Sequence, residues 1–327
     1  MPPKVCYKCK GSSLAVATRH HYACKDCFLG SIMKSFRGQL HKMNIQRKSN
    51  LVIAVSGGCC SVALVALFHE AMSVTRSKLD YQISLVYIDF SGICDLIPLC
   101  RDPALTSILT SYPFHLTVIK AESHPLFDND VQRMHTLFQN MKSIDGKEDL
   151  MRIIRDSLLK SHMAEEPSGS YLLYGLTMDH LTEHVLYSLS NNTGFSLVAS
   201  SSLHSYSDPS FSVAYPLSAL TSREIVLYCH FKQIPFLTQL TFLSNKGDSV
   251  YRLARSMVES LQDECDSTLH IVTETVGKLR SCPEVCPEKR QVCRFCGEYS
   301  DQSMCNRCLF VIKDDASKQI AAYFYLE

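Results

Sequence analysis

At 327 residues the chain is long enough for one large domain with small satellites, or for two ordinary domains. Hydrophobic residues make up 46% and charged residues 20%, with a net charge of +1, which excludes a disordered polyelectrolyte and by itself argues neither for nor against nucleic acid. The start, MPPKVCYKCKGSS, has no apolar stretch of signal-peptide length, and nowhere do about 18 apolar residues run together, so a soluble intracellular protein with no membrane span is expected, its 16 cysteines reduced and serving as metal ligands or buried thiols.

The first motif in chain order is Cys6-x-x-Cys9 followed by Cys24-x-x-Cys27, a spacing that lets each pair close on one tetrahedral Zn²⁺. Four thiolates leave no open coordination position, so this is a structural site. No acidic residue occurs between Asp26 and Glu70, whereas Lys34, Arg37, Lys42, Arg47 and Lys48 all fall there. The segment carries a local positive field suited to a phosphate-bearing partner, and the same charges also fit a solvated helix face and linker.

From Leu51 the chain alternates strands and helices, the pattern of a parallel sheet covered on both faces. LVIAV (51–55) predicts a strand buried on both sides, and a helix follows over Cys60–Arg76, with Val62, Val65, Ala66 and His69 at helical spacing. ISLVYID (83–89), HLTVIKA (115–121), YLLYGL (171–176) and SLVASS (196–201) supply four more strands, for five in all. The polar stretch 123–149 predicts an irregular excursion before a helix over Asp149–Glu165, and a further helix covers Asp179–Ser190. After Pro216, TSREIVLYCHF opens a helix with Thr221 or Ser222 as N-cap and Glu224 in the first turn. Helical patterns over Ser249–Leu261 and Ser267–Leu279 lead to Cys293-x-x-Cys296 and Cys305-x-x-Cys308, a second four-cysteine arrangement whose shorter loop holds Gly297. Cys282 and Cys286 are read as spare thiols beside it, and Arg290, Arg294 and Arg307 lie close enough in sequence to meet phosphate.

Between the first strand and its helix lies Ser56-Gly57-Gly58-Cys59-Cys60-Ser61. Glycines there let successive N–H groups and the positive end of the helix dipole face one concavity, a phosphate cradle without the lysine of a Walker A loop. A two-glycine turn also serves purely steric ends. The segment IAVSGGCCS resembles the SGGxDS loop of PP-loop ATP pyrophosphatases, which implies pyrophosphate binding by Ser56, Gly57, Gly58 and Ser61, with Cys60 standing at the acidic position. Gly175-Leu-Thr-Met-Asp179-His180-Leu-Thr-Glu183 resembles the GHNxDDxxET segment of the tRNA-thiolating branch, with Gly175, Asp179 and Glu183 retained, His180 in place of the second Asp and Thr177 in place of Asn. Asp179 is accordingly placed in the nucleotide site, and both acids also fit the ordinary enrichment of carboxylates at a helix N-terminus.

CYKCK…YACKDCF followed by FRGQL, the SGGxxS loop, YPLSALTSREIVLY, and STLHIVTETVGKL ahead of the last C-x-x-C pairs together resemble the cytoplasmic tRNA 2-thiolation protein 2 family. The resemblance implies an α/β fold: a parallel-sheet PP-loop domain, of the adenine nucleotide α-hydrolase type, over 49–240, after an N-terminal zinc ribbon and basic helix over 1–48 and before C-terminal helices and a zinc ribbon over 241–327. It implies 2-thiolation of the wobble uridine in cytosolic tRNAs for Lys, Glu and Gln, two structural Zn²⁺, retention of ATP in the loop, heterodimer formation with a catalytic paralogue, and sulfur drawn from a thiocarboxylated ubiquitin-like carrier. It places tRNA against the front module and its basic extension. No cysteine occurs between Cys100 and Cys229, and Cys94 and Cys100 are too far apart for a C-x-x-C, so the thiol pair of the catalytic paralogue has no counterpart here and no catalytic residue is assigned. Cys229, in LYCHF, fits buried packing. Two other readings stay open: an autonomous ATP-dependent sulfurtransferase that carries sulfur on Cys59 or Cys60, and a zinc-bearing protein scaffold with a vestigial loop.

Overall fold

The computed structural model describes residues 5–11, 16–17, 22–73, 80–93, 103–190, 204–208, 211–237, 249–264, 267–279, 291–297, 299–300, 302–314, 320 and 322. After the short hairpin β1 (Val16–Ala17) and β2 (Tyr22–Ala23) comes helix α1 (Lys25–Met43). The α/β body follows as β3 (Asn50–Val55), α2 (Cys59–Ser73), β4 (Gln82–Asp89), α3 (Pro103–Thr110), β5 (His115–Lys120), α4 (Val131–Asn140), α5 (Ile144–Glu165), β6 (Ser170–Tyr174), α6 (Met178–Ser190), β7 (His204–Asp208), β8 (Phe211–Ala214) and α7 (Ser222–Lys232). Helices α8 (Val250–Glu264) and α9 (Ser267–Leu279), the hairpin β9 (Gln291–Val292) and β10 (Tyr299–Ser300), and α10 (Asn306–Asp314) close the chain. Among the described residues no helix is long and apolar enough to cross a membrane.

The main sheet runs in the order β5-β4-β3-β6-β8-β7. Its first five strands are parallel, and β7 joins the edge antiparallel to β8. Strand β3 sits in the middle, with Ile53 opposite Leu85 on one side and Leu173 on the other. The pleat sends its side chains alternately to two cores. Leu51, Ile53 and Val55 pack with α1, α2 and α7, while Val52 joins Val86 and Ile88 against α4 and α5. Fully buried strands in a two-sided sheet need no polar alternation, which is why LVIAV reads as one apolar run.

Helix α1 lines the first core with Phe28, Ile32, Phe36 and Leu40, a four-residue repeat that keeps one face inward. Lys34, Arg37 and Lys42 are consequently exposed on its other side, as are Arg47 and Lys48 beyond it. The second core takes in α5 and the C-terminal cysteines together. Polar contacts fix the helices beyond the sheet: Asp145 accepts from Ser249 Oγ (2.6 Å) and the Val250 N–H (2.8 Å), capping α8. Asp149 accepts from Tyr187 (2.5 Å) and Tyr251 (2.9 Å), whose rings stack 3.5 Å apart.

Five parallel strands are present, as the sequence predicts, but not all in the predicted places. The expected strand at 196–201 lies outside the described residues, and the fifth parallel strand is β8, four buried residues too short to give a periodic signal. The excursion at 123–149 is largely helical instead. Asp130 caps α4 by accepting from the Gln132 and Arg133 N–H groups, and Ser143 caps α5 by accepting from Gly146, so α5 starts at Ile144 rather than Asp149. The helix expected over 60–76 is observed as Cys59–Ser73, with 74–79 outside the described residues.

Of the two caps left open for α7, Thr221 is the one used. Its hydroxyl accepts from the Glu224 N–H (3.3 Å) while Glu224 Oε2 accepts from the Thr221 N–H (2.9 Å), a reciprocal capping box. Replacing Thr221 by alanine removes one half of this box. Urea unfolding of T221A is expected to show a stability loss of about 1 kcal/mol, with the slope unchanged.

Candidate nucleotide loop and metal centres

Strand β3 ends at Val55 and α2 begins at Cys59, so the chain must reverse within three residues. Gly57 does this at φ 83°, in the left-handed region where a side chain is strained. Ser61 braces the turn from inside: its Oγ donates to the Gly58 carbonyl (2.9 Å), lies 3.3 Å from Ser56 Oγ, and accepts from the Ser56 N–H (3.3 Å). Ser56 Oγ accepts in turn from the Gly58 N–H (3.4 Å). Ser56, Gly57, Gly58 and Ser61 are thus brought together as expected. The positive end of the α2 dipole faces this loop and favours an anion there, although the Ser61 and Val62 N–H groups already donate to the Gly58 carbonyl (3.1 Å each). The segment after α7 also touches it, because the Leu237 N–H donates to the Gly57 carbonyl (2.9 Å) and Leu237 bridges Gly58 in parallel.

At the position where the motif carries a carboxylate, Cys60 supplies a neutral thiol. Burial, reinforced by Cys59 and Asp179, pushes it up to about 12 against opposing hydrogen bonds from Ser222 and Thr177. The second motif is pressed against this point. A side chain at Gly175 would place its Cβ 2.8 Å from the Cys60 carbonyl oxygen and 2.9 Å from Ser61 Cα, both backbone atoms. The β6–α6 turn and the loop therefore meet main chain to main chain.

Asp179 is buried beneath the loop, and its carboxylate is oriented toward α7. Both oxygens accept from the Ser222 N–H (2.9 and 3.1 Å), at the start of α7. Thr177 Oγ1 lies 2.8 Å from His180 Nδ1 and 2.9 Å from Ser222 Oγ, completing the junction. Glu183, one turn further along α6, pairs with Arg255 of α8 (3.3 Å), and burial raises its carboxyl above the ordinary value despite that partner. The two acids share a helix, yet each is held by a different neighbour. Sequence reasoning missed Thr177 and Ser222 as partners of the loop, and it missed the contact between Cys59 Sγ and Cys229 Sγ at 3.5 Å. None of these is a local pattern, and only the capping signal around Ser222 pointed that way.

The two sets of four cysteines assemble as their spacing predicts. Within each, the four sulfurs of Cys6, Cys9, Cys24 and Cys27, or of Cys293, Cys296, Cys305 and Cys308, lie within 4.8 Å of one another. Cys9 Sγ to Cys24 Sγ and Cys296 Sγ to Cys305 Sγ are each 3.7 Å, matching the edge of a tetrahedron with metal–sulfur bonds of about 2.3 Å. All eight are free cysteines. The knuckles repeat: Lys10 (φ 59°) and Gly297 (φ 69°) each follow the second cysteine of a C-x-x-C in left-handed conformation. The Lys10 N–H donates to the Cys6 carbonyl (3.0 Å) just as the Gly297 N–H donates to the Cys293 carbonyl (2.9 Å). The C-terminal set is wholly buried against α5, where Lys160 reaches the Cys296 carbonyl (3.4 Å) and Asp314 accepts from the Ser143 N–H (2.9 Å). Cys282, Cys286 and Arg290 lie outside the described residues.

No family model matches the chain. The cytoplasmic tRNA 2-thiolation protein 2 of Danio rerio is 23% identical to it, covering 97% of this chain and 74% of that protein. The protein of the same name from Dictyostelium discoideum is 25% identical, covering 80% of this chain and 53% of its own length, and that from Bos taurus is 23% identical, covering 85% and 68%. Among solved structures, the U34-tRNA thiolase NcsA from Methanococcus maripaludis, with its 4Fe-4S cluster, superimposes with a TM-score of 0.71 at 14% identity, covering 96% of this chain and 97% of that one. At that identity the likeness establishes the fold alone.

Two outcomes follow from the geometry. Gly175→Ala forces the loop backbone away from α6 and is expected to lower stability by about 1–3 kcal/mol, read as a fall in thermal midpoint, whereas Gly38→Ala, within α1 with open space around it, meets no such clash and should not lower the midpoint. Elemental analysis of the purified chain should return two zinc ions per molecule, one for each set of four cysteines, and Cys296→Ser should reduce this to one while exposing the core beside α5.

Proposed function

We propose that this chain, homologous along most of its length to proteins named cytoplasmic tRNA 2-thiolation protein 2, is the non-catalytic subunit of a cytoplasmic tRNA-thiolating complex. It works beside a catalytic paralogue as a heterodimer, in 2-thiolation of the wobble uridine of tRNAs for Lys, Glu and Gln, with sulfur arriving on a ubiquitin-like carrier. One observation supports the non-catalytic assignment above the rest. The acidic position of the loop is the neutral thiol Cys60, and the nearest carboxylate, Asp179, spends both oxygens capping α7. The thiol offers no charge to position a metal–nucleotide complex, and the carboxylate is oriented toward the start of α7 rather than supplied by the loop.

The parts then have separate tasks. Ser56, Gly57, Gly58 and Ser61 hold the phosphates of ATP through backbone and hydroxyl donors, with Asp179 fixing the floor of the site. Zinc on Cys6, Cys9, Cys24 and Cys27 anchors the segment 1–48, and zinc on Cys293, Cys296, Cys305 and Cys308 anchors 241–327 to the PP-loop domain at 49–240. Bound there, the metal supplies cross-linking and no chemistry, because four thiolates fill its coordination. Exposed Lys34, Arg37, Lys42, Arg47 and Lys48 present cations to the tRNA backbone, a contact that weakens as salt releases its counterion advantage.

Reconstitution tests this directly. Thiolation of tRNA, with ATP and a sulfur donor supplied, is expected only when this chain and the catalytic paralogue are mixed. Sulfur incorporation by this chain alone would overturn the assignment and return attention to Cys59 and Cys60.

A further inference from the structure

Eight of the described cysteines belong to the two metal-ligating sets, and three do not: Cys59, Cys60 and Cys229. Cys59 is the first residue of α2, and Cys229 is a fully buried residue of α7, 170 positions along the chain. Their sulfurs are 3.5 Å apart, and Cys229 Sγ also lies 3.8 Å from the Cys59 carbonyl oxygen. The helices that carry them are clamped, since Glu70 of α2 accepts from Tyr228 (3.1 Å) and from Lys232 (3.1 Å) of α7. Cys60 is turned the other way, its thiol engaged with Thr177 and Ser222.

We propose that Cys59 and Cys229 form a reversible modification site, in which a low-molecular-weight disulfide of the glutathione type converts the thiol pair into an intramolecular disulfide that pins the glycine loop to α7. The order of events follows from access. Cys59 is half-buried and Cys229 fully so. The Cys59 thiolate attacks one sulfur of the small disulfide, breaking its S–S bond, forming a mixed disulfide on Cys59 and releasing one glutathione thiolate. The Cys229 thiolate then attacks the Cys59 sulfur and expels the second glutathione thiolate. The protein loses two electrons to the small disulfide, and the two thiol protons end on the two released glutathiones. Reduced glutathione runs the same steps backwards. Contraction from the contact distance to a bond of about 2.05 Å draws the first turn of α2 toward α7.

The start of α2 favours the thiolate at Cys59, whereas the hydrogen bond with Cys229, together with burial, pushes that thiol well above its ordinary range. Cys60, Tyr112 and Tyr228 are the other titratable groups facing the pair. All are neutral below the alkaline range, so exchange is slow near neutrality and quickens as pH rises. The thiol geometry carries this irrespective of any role in tRNA thiolation.

The test uses the zinc-loaded full chain, incubated anaerobically with glutathione disulfide at pH values from about 7 to 9, then alkylated, digested without reduction and mapped by mass spectrometry. Expected is one cross-linked peptide pair joining Cys59 to Cys229, lighter by two hydrogens than the separate peptides, with zinc content unchanged and yield rising with pH. C229S should stop at a glutathione adduct on Cys59, and C59S should give neither product. Recovery of both residues as alkylated thiols from the unsubstituted protein, a stable adduct on its Cys59, or a link from Cys59 to Cys60 would each overturn the assignment, whatever the variants do.

Discussion

Main-chain contact between Gly175 and Cys60 sets the geometry of everything around the loop. Because no side chain fits between them, the β6–α6 turn and the start of α2 behave as one unit. That fixes where α6 begins, which puts Asp179 under the first N–H of α7. Helix α7, so capped, delivers Cys229 back to Cys59 at the head of the loop. The sequence of contacts is a closed ring of short steps through three helices. Each step is an ordinary packing or hydrogen-bonding interaction, and it is closure that makes the loop conformation over-determined.

The cysteines divide by a similar logic. In the C-terminal set all four sulfurs sit in the same apolar cluster as Leu150, Ile154 and Leu158 of α5, so thiolates there are shielded from solvent on every side. A metal neutralises charge that such a setting would otherwise not tolerate. At the front, Cys9 is exposed and Cys27 partly so, which makes the N-terminal set a surface staple at the root of α1.

How much of this was readable without coordinates depended on the range of each interaction. The alternation of strand and helix, the burial of LVIAV on both faces and the capping of α7 are local, encoded within a few residues of where they act, and were legible. So were the two cysteine clusters, because each C-x-x-C folds onto its own knuckle. Strand β8 was not, since four buried residues carry no period, whereas α4 does carry a helical repeat in Met134, Leu137 and Phe138, set inside a stretch that is polar on average. Nor could the sequence tell that Asp179 would be occupied by a backbone donor 43 positions away, or that Cys59 would find Cys229 across 170 positions. Candidate carboxylates can be counted from a motif, but whether their lone pairs are available is decided by tertiary packing.

The contact at Gly175 also bears on how signature sequences are weighed as diagnostics. Here the glycine is demanded by steric exclusion, and it would be demanded equally in a chain that had given up every chemical step. The acidic letters behave differently: Asp179 of the same segment persists as a cap for α7, His180 stands where its second acid would be, and in the loop's own signature the acidic letter is Cys60, with the turn undisturbed. A score that credits both kinds of letter alike will report an enzyme wherever the scaffold survives. Weighting by physical cause separates inheritance of a shape from inheritance of a reaction.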